Sequence, residues 1–264
     1  MKDINLIKIA SEISRYINEI KVEKDLSKVV GFHSGDTTRL IDKKSEEYIF
    51  ELFRNTGFKF RFVSEESGVV EEENYDYTAV IDPLDGSMNF VLDVPWYSVS
   101  VALYDNNGKE MLDSIAGFVV HIPSNTIYSY DEKSAYINGQ VFKPYEPSYP
   151  IILTYFDKEV LDKIVKIFSL LDNFHEYKIR SLGSSSLDMI LLCIGKAYMF
   201  LDLRGKIRNV DISASSNFCS RLNIIPIDLM GKKINTKIDN VYKIKEIIMS
   251  RDEKLLKNIY SIFS

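Results

Sequence analysis

Three short acidic stretches hold the residue types best suited to chemistry. In Ile81-Asp82-Pro83-Leu84-Asp85-Gly86-Ser87-Met88-Asn89-Phe90, two carboxylates three residues apart leave a strand end together. Pro83 restrains the chain between them, and Gly86 permits close backbone approach to a ligand. Ser87 sets a hydroxyl where a helix can begin, with free N–H groups turned toward any bound anion. Hard cations such as Mg²⁺ take oxygen ligands of this kind and share them with phosphate. The block is not an EF-hand loop, which needs acidic or amide residues at alternate positions before its glycine. It also lacks the Asp-x-Asp start of the large aspartyl-phosphate class. The second stretch is Ser64-Glu65-Glu66-Ser67-Gly68, and the third is Val210-Asp211-Ile212-Ser213-Ala214. Taken singly, the three are turns and a helix N-cap aspartate; it is their combination that points to a metal site. Just before Asp211, the run Asp202-Leu203-Arg204-Gly205-Lys206-Ile207-Arg208 forms a basic cluster. It is either an exposed loop or an anion clamp beside the carboxylates.

The elements that must position these groups are readable in outline. Leu6, Ile9, Ile13, Ile17 and Ile20 recur at helical spacing, and residues 42–53 predict a second helix with Ile49, Leu52 and Phe53 on one side. Alternation at 59–63 predicts a strand, as do the Val- and aromatic-rich runs 77–81, 98–104 and 115–121. Asn106-Asn107-Gly108 reads as a hairpin turn between two of these strands, and Asn138-Gly139 as another turn. Residues 144–150 contain three prolines and form the best internal boundary. A single domain over 1–264 is expected, with an N-terminal subdomain to about 145 and a C-terminal one from about 146. Beyond the boundary, strands near Ile151 and Tyr198 alternate with helices over 160–171 and 185–194. Ser185-Ser186-Leu187-Asp188 reads as a capping box for the latter helix. Grouped helices and layered sheets follow from this order, an α+β arrangement.

Composition narrows the setting. The chain has 264 residues, 33 Lys+Arg against 38 Asp+Glu and a net charge of −5, with 45% hydrophobic residues. This is enough apolar material for a core without metals or disulfides, and the acidic balance argues against nucleic acid or membrane partners. Apolar runs are too short to span a bilayer, and no signal-peptide core is present. A soluble, cytoplasmic protein is expected. Cys193 and Cys219 match no zinc spacing and are expected to be buried, reduced thiols. His33, His121 and His175 lie outside all the motifs and read as structural or surface residues.

With these motifs in place, the chain resembles the inositol monophosphatase superfamily of lithium-sensitive, metal-dependent phosphatases. More narrowly, it resembles the archaeal-type inositol monophosphatase/fructose-1,6-bisphosphatase branch. The matching stretches are Gly35-Asp36-Thr37-Thr38-Arg39-Leu40-Ile41-Asp42, residues 64–68, residues 81–90, Arg180-Ser181-Leu182-Gly183 and residues 202–214. The resemblance implies a layered αβαβα sandwich and a homodimer. It implies metal ligation by Glu65, Asp82, Asp85, Asp211 and the Leu84 carbonyl, holding two or three Mg²⁺ ions, or Mn²⁺. Asp42 and Ser87 would be the water-activating pair. The first helix and the last ~40 residues match only in general character. Val210 stands where Trp or Pro often precedes the late aspartate, Ser213 where Ala is usual, and Ser87 where Thr is more frequent. None of these changes removes a ligand.

The chemistry fits this assignment. Phosphomonoester hydrolysis requires charge neutralisation and an activated water, and N–H groups at Gly86 and Ser87 would hold phosphate oxygens. Arg180, Arg204, Lys206 and Arg208 form a cationic clamp suited to a second phosphate. The clamp suits a bisphosphate, and the resemblance implies inositol monophosphate and/or fructose 1,6-bisphosphate as substrates. Two alternatives remain open. One is a sibling phosphatase for 3′-phosphoadenosine 5′-phosphate or NADP. The other is a non-catalytic metal- or phosphosugar-binding protein, against which the Asp42/Ser87 pair speaks.

Overall fold

A computed structural model describes residues 4–33, 36–143, 150–171 and 176–263. The chain opens with α1 (Leu6–Ile20), capped by the Asn5 side chain, which accepts the Lys8 N–H at 3.0 Å. Its buried stripe is Ile9, Ile13, Ile17 and Ile20. A hairpin of β1 (Val29–His33) and β2 (Asp36–Arg39) leads into α2 (Leu40–Arg54). This helix starts two residues before the predicted point because Asp42 sits inside the first turn, where its carboxylate accepts the Arg39 N–H at 2.8 Å.

The larger sheet contains β3 (Phe60–Ser64), β4 (Gly68–Glu71), β5 (Tyr77–Asp85), β6 (Ser98–Tyr104), β7 (Ala116–His121), β8 (Thr126–Tyr130), β9 (Ala135–Ile137) and β10 (Gln140–Val141). A five-residue helix, α3 (Ser87–Val91), interrupts the chain between β5 and β6. The strand order is β10-β9-β8-β7-β6-β5-β3-β4. Every neighbouring pair is antiparallel except β3 and β5, which run parallel with Ser64 opposite Ile81. Asn138-Gly139 makes the predicted β9–β10 turn, both residues having positive φ. The Asn106–Gly108 segment is not a tight hairpin. The β6–β7 connection is longer and includes a 3₁₀ turn at Met111–Asp113. Most of the proline-rich segment 144–150 lies outside the described residues.

The smaller sheet contains β11 (Ile151–Tyr155), β12 (Lys178–Arg180), β13 (Met199–Asp202) and β14 (Ile247–Ser250), in the order β12-β11-β13-β14. Its helices are α4 (Leu161–Leu171), α5 (Ser185–Cys193), α6 (Asn209–Ser220) and α7 (Glu253–Phe263). Three apolar cores tie the layers together. One joins α1 and α2 to the large sheet. A second runs from the large sheet through α5 and α6 to the small sheet, and a third packs α4 and α7 on the outer side of the small sheet. The result is the αβαβα sandwich. Among the described residues, no helix is long and apolar enough to cross a membrane.

Helix α6 carries no clear apolar stripe, and the sequence pattern overlooked it. Lying between two sheets, it is buried all round, with Ser213, Ser215, Ser216 and Asn217 among its covered residues. Small side chains there allow both sheets to approach. The expectation of reduced thiols is corrected: Cys193 and Cys219 form a disulfide between α5 and α6. The two helices pack side by side in the inner layer, a proximity that a sequence separation of 26 does not disclose.

Gly117 on β7 shows how closely the large sheet is packed. A Cβ there would lie 2.4 Å from the Val101 carbonyl oxygen and 2.5 Å from the Tyr130 hydroxyl. Gly117→Ala is expected to cost about 2–3 kcal/mol, measured by chemical denaturation.

Candidate active site

The site starts from the parallel pair of the larger sheet. Because β3 and β5 run together, their C-terminal ends reach the same rim, and the Glu65 N–H donates to the Ile81 carbonyl at 3.3 Å. Asp82 is the next residue on β5. Between Asp82 and Asp85 the β5–β6 register slips: these residues face Ser100 and Ser98 across a bulge that contains Pro83, which has no N–H to donate. Gly86 follows at φ 91° and precedes α3. A Cβ there would meet the Trp96 and Gly183 carbonyl oxygens at 3.0 and 3.1 Å, so glycine is required both by conformation and by space.

Asp211 arrives from α6. It lies in the first turn rather than at the N-cap, and its Oδ2 accepts the Arg208 N–H at 2.7 Å. Asp42 stands in the same relation to Arg39 on α2. Two Arg-x-x-Asp helix starts thus deliver two of the predicted carboxylates.

Oxygens of Glu65, Asp82 and Asp211 come within 4.8 Å of one another. Asp85 lines the same cavity, but its carboxylate faces the start of α5. It accepts from Ser186 N–H at 2.7 Å, Ser185 N–H at 3.1 Å and the Ser184 hydroxyl at 2.7 Å. Leu84 also lines the cavity, and its N–H donates to Asp82 Oδ1 at 3.1 Å. The counter-charge inside the cluster is Arg208, whose guanidinium reaches Glu65 and lies 3.2 Å from Asp211.

That leaves an excess of negative charge. Burial pushes the Asp82 carboxyl well above its usual range, with Glu65, Asp85 and Asp211 adding repulsion. Burial raises Glu65, and the nearby Arg208 offsets part of the rise. Asp211 is raised to about 7, again by burial opposed by Arg208. Asp85 is raised to about 6 by burial, opposed by its Ser184 and Ser186 hydrogen bonds. Three crowded carboxylates, with Asp85 alongside and one guanidinium pairing two of them, suit a hard divalent cation.

Asp42 is buried and raised to about 8, chiefly by burial and then by Glu66 and Glu65. Among the described residues its Oδ1 has no hydrogen-bond partner. Ser87 opens α3 and lines the cavity. Among the described residues no hydrogen bond joins Asp42 to Ser87, and Asp42 is not part of the cavity wall. The α2 side is fastened to the acidic turns by Ser45, whose hydroxyl donates to the Pro83 carbonyl at 2.5 Å, and by Glu46, which accepts the Ser67 N–H at 3.1 Å.

The cavity encloses about 400 Å³. Arg204 and Lys206 line its cationic side; Arg204 pairs with Asp202 at 2.6 Å, and Lys206 lies 3.5 Å from Asp157. The clamp expectation needs two corrections. Arg208 lines the cavity but is buried and committed to Glu65 and Asp211, so it acts as a counter-ion within the cluster. Arg180 lies on the exposed edge strand β12, donates to the Ile179 carbonyl at 2.8 Å, and does not line the cavity. Its motif contributes the Gly183 backbone instead.

The capping box at Ser185 is also corrected. The cap is Ser184, one residue earlier, and Asp188 turns into the interior to accept from Trp96 Nε1 and the Tyr155 hydroxyl. Tyr155, which lines the cavity, was missed because a tyrosine ending a strand carries no motif. His121 is structural: its Nε2 pairs with the Pro95 carbonyl at 3.0 Å and its Nδ1 with Ser124 at 2.6 Å. His175 and the His33 side chain lie outside the described residues.

Comparison with known proteins agrees with this geometry. A chain from Aeropyrum pernix named inositol-1-monophosphatase is 31% identical over 257 residues, covering 95% of this chain and 93% of that one. A Methanocaldococcus jannaschii protein named fructose-1,6-bisphosphatase/inositol-1-monophosphatase is 28% identical over 251 residues, covering 94% of both. The solved structure of a Pyrococcus horikoshii protein, described as having similarities to inositol-1 monophosphatase, superposes with a TM-score of 0.77 at 28% identity over 96% of both chains. The sequence profile of the inositol monophosphatase family matches residues 3–262. The chain therefore belongs to the inositol monophosphatase family, a family of metal-dependent phosphomonoester hydrolases.

Proposed function

We propose that the protein is a Mg²⁺-dependent phosphatase for inositol monophosphate and fructose 1,6-bisphosphate. The observation that carries this reading is the cluster of Glu65, Asp82 and Asp211 oxygens lining one cavity together with Asp85, Arg204 and Lys206. Glu65, Asp82, Asp85, Asp211 and the Leu84 carbonyl would hold two or more ions. Bound there, divalent ions supply charge neutralisation for the phosphate and acidify water.

The chain's own groups have separate tasks. Backbone N–H groups at Gly86 and Ser87 hold phosphate oxygens at the start of α3. The Ser87 hydroxyl orients the attacking water, and Asp42, pushed up to about 8 in the metal-free site, would serve as its base once bound cations favour the carboxylate. Arg208 holds Glu65 and Asp211 in register. Arg204 and Lys206 receive a second phosphate, which favours a bisphosphate among the substrates named for the relatives. A cytoplasmic homodimer with lithium sensitivity completes the proposal.

Three outcomes test it. Asp85→Asn is expected to lower kcat/KM at least about 100-fold, with phosphate release as the readout; full activity in this variant would refute the metal assignment. Arg204→Ala is expected to raise the KM for fructose 1,6-bisphosphate about tenfold while changing that for inositol 1-phosphate less than about threefold. The third outcome concerns pH. Asp85, Asp211 and Asp42 carry native pKa values of about 6, 7 and 8, above their unfolded values. Between about pH 4 and 8 the native state then binds more protons than the unfolded chain, so metal-free stability falls as pH rises. Thermal melts in EDTA are expected to show Tm falling from pH 5 to 8, and Mg²⁺ is expected to raise Tm more at pH 8 than at pH 5.

A further inference from the structure

Tyr155 and Asp202 end neighbouring parallel strands, β11 and β13, and lie opposite each other in register. Between them they hold one cation. The Arg204 guanidinium carbon sits 4.4 Å from the centre of the Tyr155 ring, while Nη2 and Nε reach Asp202 at 2.6 and 3.2 Å. A guanidinium stacked on a ring and forked to a carboxylate is already ordered, so it loses little freedom when an anion arrives.

The other end of Tyr155 is equally committed. Its oxygen accepts the Gly183 N–H at 2.6 Å, and its O–H donates to Asp188 Oδ2 at 2.7 Å. Asp188 is fully buried, and its second oxygen accepts Trp96 Nε1–H at 2.9 Å. Gly183 has φ 94°, and its carbonyl is the oxygen that a Cβ at Gly86 would meet at 3.1 Å. Asn89 closes the same junction, donating to the Leu182 and Trp96 carbonyls at 2.7 Å each. The turn fastened by the Tyr155 hydroxyl is thus the one against which the Gly86–Ser87 backbone rests.

We propose that Tyr155 is a positioning residue joining the two sides of the cavity. Its ring is the plate that holds Arg204 for the phosphate retained on a bisphosphate substrate. Its hydroxyl fixes the Gly183 turn that supports the phosphate-binding backbone at Gly86 and Ser87. This inference rests on reading the cavity as a phosphatase site.

The two functions separate by substitution. Tyr155→Phe keeps the plate and removes the anchor; Tyr155→Leu removes both. Arg204→Lys, at a partly exposed position, removes the flat stack from the cation's side and stands in if Tyr155→Leu does not fold. Two readouts apply to the full chain with Mg²⁺. The first is calorimetric affinity for fructose 6-phosphate, the product that keeps the second phosphate. It is expected to weaken about tenfold in Tyr155→Leu and Arg204→Lys and to stay within about twofold in Tyr155→Phe. The second is turnover of inositol 1-phosphate, whose kcat is expected to fall about tenfold in Tyr155→Phe at unchanged KM.

Unchanged fructose 6-phosphate affinity in Tyr155→Leu and Arg204→Lys would overturn the plate. Unchanged kcat in Tyr155→Phe would overturn the anchor. Equal losses in both readouts for all three variants, tracking Tm, would reduce Tyr155 to a packing residue and overturn both. If the unmodified protein shows the affinity pattern yet releases phosphate from neither substrate, the proposed function fails while the plate stands.

Discussion

Like charges crowd at one rim because a parallel strand pair leaves them no alternative. β3 and β5 end side by side, so Glu65 and Asp82 are neighbours as soon as the sheet forms. The β5 bulge then bends the chain so that Asp85 leaves toward α5. Repulsion among buried carboxylates costs stability, and the sheet and helix cores must outweigh it. Arg208 relieves part of this strain within the chain itself. What remains is a negative field that a divalent cation satisfies better than any further side chain would.

Helix starts are the second organising device. α2, α3, α5 and α6 all begin beside the acidic turns, and their first N–H groups are taken by aspartates at three of the four. Asp42, Asp85 and Asp211 each accept backbone N–H groups, which holds each carboxylate in place without a dedicated support. A residue that looks like a cap and one that looks like a ligand are here the same residue.

This overlap explains what the sequence disclosed and what it concealed. Local signals were sufficient for α1, for β6 and for the acidic blocks, whose spacing survives in any context. The grouping of Glu65 with Asp211 depends on two layers meeting and was available only through resemblance to a family. Sequence groups Arg180 and Arg208 with Arg204 because charge can be read from a sequence but direction cannot. One proved to lie on an exposed edge strand, the other inside the carboxylate cluster. Tyr155 and Asp188 had no motif to announce them, and the Cys193–Cys219 contact arises from two helices packed in one layer. α6 escaped notice because a helix covered on every side has no polar face to set its period.

That same helix has a mechanical consequence. α6 is the spacer between the two sheets, and the cavity opens where their rims face each other across it. Its serines and alanine therefore set a gauge: the thickness of the inner layer fixes how far the carboxylate rim stands from Arg204. Ser213, whose hydroxyl donates to the Asn209 carbonyl at 2.7 Å, sits within that gauge one turn from Asp211's end of the helix. Bulk added along the far turns of α6 would be felt as a change in the width of the site, so the room for a phosphate ester is set partly by small residues that do not line the cavity.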